Sequence, residues 1–196
     1  MVNHEEKGRL KNDRLFDLLY HHAFRKSDQP IYTLTSGTRS PYYINCKEVT
    51  LSAEGAFLIG EAILDRIASL PVDGVGGMTL GADPIATAVS VMSFIRKKPI
   101  PAFIVRKEQK KHGSMRQVEG ALPQGAKLVV VEDVVTTGGS TLETIHALRR
   151  EGYFVIHAIA LVDRLEGGAE RITAEGIPFE SLYTLNDFLK NTPVPI

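Results

Sequence analysis

A single α/β domain with a central parallel sheet flanked by helices is what this sequence predicts, and three observations predict it. Apolar segments of strand and helix type alternate through the middle of the chain. At 196 residues, 43% hydrophobic and 23% charged, the chain matches an average soluble domain and is long enough to bury one good core. No internal repeat, low-complexity tract or Pro/Ser-rich linker divides it, so residues 1–196 are expected to form one domain.

Taken in order, Leu15, Phe16, Leu18, Leu19 and Ala23 form the apolar stripe of a first helix. Thr33 to Asn45 is rich in turn and β residues, as in a small hood or hairpin. Ser52 is placed to cap a helix from Ala53 to Leu70. A short strand over Val72 to Gly77 precedes Asp83 and Pro84, which suit the N-cap and first position of a helix reaching about Lys97. Pro101 to Arg106 reads as the next strand. Residues Lys107 to Gln124 carry charges and glycines with almost no apolar periodicity, which predicts a functional or mobile loop too polar for the core. Lys127 to Val131 is a β-branched strand, Ser140 to Glu151 a helix stopped by Gly152, and Phe154 to Val162 another apolar strand.

Composition excludes several classes. Lys+Arg and Asp+Glu both number 23, so no overall positive field favours nucleic acid or an anionic membrane. Cys46 is the only cysteine, which rules out an internal disulfide and a cysteine-rich metal site and fits a reducing compartment, the cytoplasm. No apolar run approaches the roughly 20 residues of a membrane helix, and the first residues lack the apolar core of a signal peptide. His21, His22, His146 and His157 lack companions at metal-ligand spacing and read as surface or packing residues.

The chemistry concentrates after the Lys127 strand, in Val129-Val130-Val131-Glu132-Asp133-Val134-Val135-Thr136-Thr137-Gly138-Gly139-Ser140-Thr141. Open parallel sheets bind ligands at the carboxyl ends of their strands. Glycines let backbone N–H groups converge, a helix N-terminus adds partial positive charge, and hydroxyls add donors, which together suit a phosphomonoester. The two carboxylates beside this cradle can accept from vicinal ribose hydroxyls and help hold a nearby Mg²⁺. A sugar phosphate satisfies both halves. The alternative is an ordinary strand-to-helix loop, with Thr137 or Ser140 as a simple cap. The turn is not a Walker loop, because no Gly-Lys-Ser/Thr follows the glycines.

The turn resembles the phosphoribosyl pyrophosphate signature of type I phosphoribosyltransferases, and three further segments resemble the orotate branch of that family. These are Thr35-Ser36-Gly37-Thr38-Arg39-Ser40-Pro41-Tyr42-Tyr43 near the base site, Arg106-Lys107-Glu108-Gln109-Lys110-Lys111-His112-Gly113 in the catalytic loop, and Leu161-Val162-Asp163-Arg164 at a strand end. The similarity spans about residues 10 to 190.

The resemblance implies a type I phosphoribosyltransferase fold with an N-terminal helix and hood over about 10–50 and a flexible catalytic loop over about 107–124. It also implies a two-fold dimer with shared active sites. The substrates would be orotate and phosphoribosyl pyrophosphate (PRPP), with Mg²⁺ carried mainly by PRPP and no protein ligand assigned to it directly. Arg106, Lys107, Lys110 and His112 would contact the diphosphate, Lys110 and Asp133 being catalytic. Glu132, Asp133, Val134, Val135, Thr136, Thr137, Gly138, Gly139 and Ser140 would bind the phosphoribosyl group. Thr136 and Arg164 would touch orotate, a planar fork being suited to its carboxylate and imide-like edges. Tyr43 and Ile44 would pack against the base ring or belong to the core. Alternatives read from the residues alone are a solvated charge run for the loop and a surface ion pair of Arg164 with Asp163 or Glu166. Two departures stand out: Thr35 replaces a lysine of some relatives, and Leu80-Gly81-Ala82-Asp83 replaces a loop with a Tyr-Lys pair, so neither place is given a charged role. Other activities compatible with the acid-pair turn are transfer to a purine or uracil, and non-catalytic sensing of PRPP.

Overall fold

Leu15, Leu18, Leu19 and Ala23 recur at helical spacing, and all four are buried. The computed structural model, which describes residues 14–33, 37, 39–108 and 117–190, places them on α1. This helix covers residues 14–18 and widens into a π turn over Leu19–Ala23. Four short strands follow: β1 (Phe24–Lys26), β2 (Tyr32–Thr33), β3 (Arg39–Ser40) and β4 (Tyr42–Ile44). β1 pairs antiparallel with β4 and β2 with β3, which is the small hood expected over this stretch.

After α2 (Lys47–Thr50) comes α3 (Ala53–Ile67). The Ser52 hydroxyl accepts from the Gly55 N–H at 3.0 Å and caps α3, as the sequence predicts. The helix closes at Ile67, three residues before the expected Leu70. Next are β5 (Gly74–Met78) and α4 (Ala82–Ile95). Here the expectation is corrected: the N-cap of α4 is Gly81, and Asp83 lies inside the first turn, where it accepts from the Thr79 hydroxyl at 2.7 Å. A carboxylate remains favourable at that end of the helix without capping it.

β6 (Ala102–Val105) is followed by a second correction. The stretch expected to be loop from 107 to 124 contains β7 (Val118–Glu119), antiparallel to β6. Val118 is buried, and the Glu151 carboxylate accepts from the Gln117 and Val118 N–H groups at 2.9 and 3.1 Å. Two residues are too few to show alternation in sequence. β8 (Lys127–Val135) runs four residues beyond the predicted end, so the acid pair lies on the strand itself. Then come α5 (Gly139–Arg150), β9 (Phe154–Asp163), α6 (Gly168–Ala174), β10 (Phe179–Thr184) and α7 (Leu185–Lys190).

The six-stranded sheet has the order β10-β9-β8-β5-β6-β7, parallel except at β7. Alternation along β8 and β9 divides the interior. Val129, Val131, Ile159 and Leu161 pack on the side of α1, α3 and α4, while Leu128, Val130, Ala158 and Ala160 pack with Ile145 and Leu148 of α5 and Ile172 of α6. With both faces covered, the carboxyl edge of the parallel strands is the natural place for a ligand.

Candidate active site

The carboxyl ends of β5 and β8, the start of α5 and the hood enclose a cavity of about 920 Å³. Its floor is the β8–α5 turn. Thr136, Thr137, Gly139 and Ser140 line it, and Gly138 stands behind them in the left-handed region at φ 74° as the N-cap of α5. A side chain at Gly138 would be strained in that conformation, so glycine is what lets the strand turn directly into the helix. The first N–H groups of α5 lack partners within the helix, and they open toward the floor with the positive end of its dipole. Arg171 Nη1 of α6 donates to the Thr137 carbonyl at 2.5 Å and ties the turn from outside.

The acid pair forms one wall. Glu132 is buried and Asp133 half-buried. Burial pushes the Glu132 carboxyl up to about 8, and the neighbouring Asp133 charge adds to the effect. Asp133 Oδ1 accepts from the Val134 N–H at 2.9 Å, and Oδ2 accepts from Lys47 Nζ at 3.0 Å. Burial works against the Lys47 ammonium, but the hydrogen bond and charge of Asp133 outweigh it and its pKa is raised. Cys46 is buried beneath, its Sγ 3.7 Å from the Asp133 carbonyl.

Arg164 also lines the cavity and is only 4% exposed. The residue follows β9 directly and its N–H donates to the Val135 carbonyl at 2.9 Å. Nε donates to Glu166 Oε1 at 2.8 Å, Nη1 to the Tyr42 carbonyl at 3.3 Å and Nη2 to Ser40 Oγ at 3.2 Å. The surface-pair alternative therefore fails: Arg164 does pair with Glu166, but as a buried fork braced by the hood. A guanidinium has five N–H donors, so these three leave one on each terminal nitrogen for a planar ligand. Tyr43 lines the same cavity and stacks on Tyr32 with centroids 5.6 Å apart, while Ile44 lines it from the core.

The structure thus brings Lys107, Glu132, Asp133, Val134, Thr136, Thr137, Gly139, Ser140 and Arg164 to one cavity. Arg106 is not on its lining and instead has Nη1 3.5 Å from Glu119 Oε1. The Val135 side chain is buried in the core beneath the turn. Lys110, His112, Thr35, Ser36 and Thr38 lie outside the described residues. Lys47 is the residue that sequence reasoning missed: a lone lysine opening a four-residue helix carries no signal in the sequence. Among the described residues no group of three His, Cys, Asp or Glu is arranged to hold a metal ion. His146 and His157 pair instead with Glu175 and Glu180 at 3.2 and 2.9 Å. No helix among the described residues is long and apolar enough to cross a membrane.

The sequence profile of the phosphoribosyl transferase domain matches residues 75–176, from β5 to the end of α6. The orotate phosphoribosyltransferase of Aquifex aeolicus (strain VF5) is 44% identical over 180 residues, covering 92% of this chain and 98% of that protein. Its counterpart in Thermosynechococcus vestitus (strain NIES-2133 / IAM M-273 / BP-1) is 49% identical over 174 residues, 88% of this chain and 90% of that one. Among solved structures, the Mycobacterium tuberculosis H37Rv orotate phosphoribosyltransferase in complex with PRPP superposes with a TM-score of 0.75 at 34% identity. That match covers 91% of this chain and 98% of the other.

Proposed function

The chain belongs to the orotate phosphoribosyltransferases, within the phosphoribosyl transferase domain family, and from that premise we propose how its residues divide the reaction. The enzyme transfers the 5-phosphoribosyl group of PRPP to orotate, giving orotidine 5′-monophosphate and pyrophosphate in pyrimidine biosynthesis. The observation that carries the division is the placing of a phosphate cradle, an acid pair and a buried arginine fork on three sides of one cavity.

The N–H groups and hydroxyls from Thr137 to Ser140 bind the 5-phosphate. Glu132 and Asp133 bond the ribose hydroxyls, Glu132 as a donor while protonated and Asp133 as an acceptor. Transfer passes through a state with positive charge on the ribose ring and negative charge on the departing diphosphate. Asp133 lies on the side of the first, and Arg106, Lys107, Lys110 and His112 serve the second, with Lys110 the chief catalytic cation. Thr136 and Arg164 hold orotate, over which Tyr43 lies.

The oxygen-donor character of the cavity wall suits a hard cation, but the described residues offer no three-ligand cluster, so Mg²⁺ is assigned to the diphosphate of PRPP. Bound there, it supplies charge neutralisation for the leaving group. Turnover is expected to stop in excess chelator and to return with added Mg²⁺; full activity in chelator would contradict the assignment.

Arg164→Ala is expected to raise the orotate KM by roughly 30- to 150-fold with a smaller change in the PRPP KM, because an unpaired carboxylate in a buried site costs about 2–3 kcal/mol. An unchanged orotate KM would separate Arg164 from the base. Orotate consumption with PRPP and Mg²⁺, against adenine, hypoxanthine and uracil, tests the substrate choice directly.

The working unit is a homodimer with shared active sites, in the cytoplasm, the whole chain forming one domain. Support for the dimer comes from a groove of about 690 Å³ between α3 and α4, with Leu51, Phe57, Leu80 and Val91 exposed along it. An apolar surface of this kind beside a polar cavity suits a partner. Lys47 and Leu80 line both groove and cavity, so a partner seated in the groove adjoins the site.

A further inference from the structure

Asp133 is held more closely than a hydroxyl acceptor requires. Its Oδ1 takes the Val134 N–H, and behind it stands Gly81, where an added Cβ would lie 2.6 Å from Oδ1 and 3.1 Å from Glu132 Oε1. With these contacts on one side, the remaining freedom of the carboxylate is rotation that moves Oδ2. Lys47 Nζ takes that oxygen at 3.0 Å, from an element 86 residues away in sequence. The backbone of Lys47 is anchored because it opens α2, directly after the buried Cys46 and two residues before the buried Val49, while its side chain is half-buried. It sits at the junction of cavity and apolar groove, and Arg164 lines only the cavity.

We propose that Lys47 is a positioning residue of the transfer reaction: its ammonium fixes the Asp133 carboxylate through Oδ2 so that the acid presents a set direction to the ribose. The proposal deepens the reading of Asp133 as a ribose-hydroxyl acceptor and rests on it. A charge-assisted hydrogen bond to a partly buried carboxylate is strong enough to matter for that orientation. Its loss leaves Asp133 free to turn and to compete with Glu132 for the same space. The Lys47 side chain keeps the aliphatic part of its packing when replaced by Met, which isolates the ammonium.

Steady-state kinetics of Lys47→Met and Lys47→Arg, with PRPP affinity measured by calorimetry, test this. Lys47→Met is expected to lower kcat/KM for PRPP roughly tenfold to a hundredfold with the orotate KM within about twofold of the parent. Lys47→Arg should recover most of the loss, since it restores the cation. In an Asp133→Asn background the same Lys47→Met change should alter PRPP affinity by less than about twofold, because its target is gone. Normal kinetics of Lys47→Met, while Asp133→Asn is crippled, would overturn the role of Lys47 alone. An equal loss of PRPP affinity from Lys47→Met with and without Asp133 would also overturn it and make Lys47 a direct ligand. Near-normal Asp133→Asn would remove the acid-pair reading beneath both.

Discussion

Replacing Asp133 by Asn together with Glu132 by Gln is expected to lower turnover by at least about a thousandfold while the fold is kept. Both acids face the cavity and their amides have nearly the same shape, so the packing is kept although an amide at position 133 loses one of the two acceptors that Val134 and Lys47 use. The same change carries a stability signature. The Glu132 carboxyl is pushed up to about 8 by burial and then by Asp133, against an ordinary value of 4.5. Between those values the unfolded chain releases a proton that the folded chain retains. Stability from this group is therefore complete below pH 4.5, declines as pH rises toward 8, and stays reduced above it. Glu132→Gln removes that decline. The single variant should match its parent near pH 4 and exceed it at pH 9 by an amount on the order of a few kcal/mol. Thermal or denaturant unfolding across that range checks the sign, and a parent that gains stability over the variant as pH rises would exclude a raised Glu132. Near-normal turnover of the double variant would reduce the acid pair to ordinary strand-end residues.

Mixing two inactive variants is expected to restore roughly a quarter of parental activity if the active site is shared across a two-fold dimer. One variant carries Lys110→Ala and the other Asp133→Asn. After random exchange about half the dimers are mixed, and in each of these one site collects both defects while the other has an intact lysine and an intact acid. Were Lys110 to serve its own chain, every site would keep one defect and nothing would return. Demonstrated subunit exchange without recovered activity would exclude the shared site. The face responsible can be tested in parallel. Val91→Glu in the apolar groove places an unpaired charge where the partner is proposed to sit, and light scattering should then show monomers with little activity. A Val91→Glu protein that remains dimeric would move the interface elsewhere.

Local signals made the phosphoribosyl turn and its surrounding strand–helix–strand order legible in the sequence. Acid pair, glycines, hydroxyls and helix start lie within thirteen consecutive residues, so their proximity is guaranteed by the chain itself, and the β-branched run of Lys127 to Val131 needs no distant partner to be seen. Elements without such internal evidence were hidden. β7 is two residues long, and β10 shows six half-buried residues with no alternation, as befits a strand at the sheet edge. Sequence order also left Arg164 undecided between surface pair and base reader. Its burial comes from Ser40 and the Tyr42 carbonyl, 124 and 122 residues away.

What the sequence by itself determined was the family, through its resemblance, and the grouping of acid pair, glycines and hydroxyls in one turn, because a run of adjacent residues brings those groups together however the rest of the chain packs. Only the tertiary structure decided the electrostatics of the site. The Glu132 proton, the Lys47–Asp133 pair and the close approach of Gly81 each depend on burial and on contacts between segments far apart in sequence. Desolvation and hydrogen-bond geometry are properties of the folded surroundings, and no pattern of neighbouring residues encodes them.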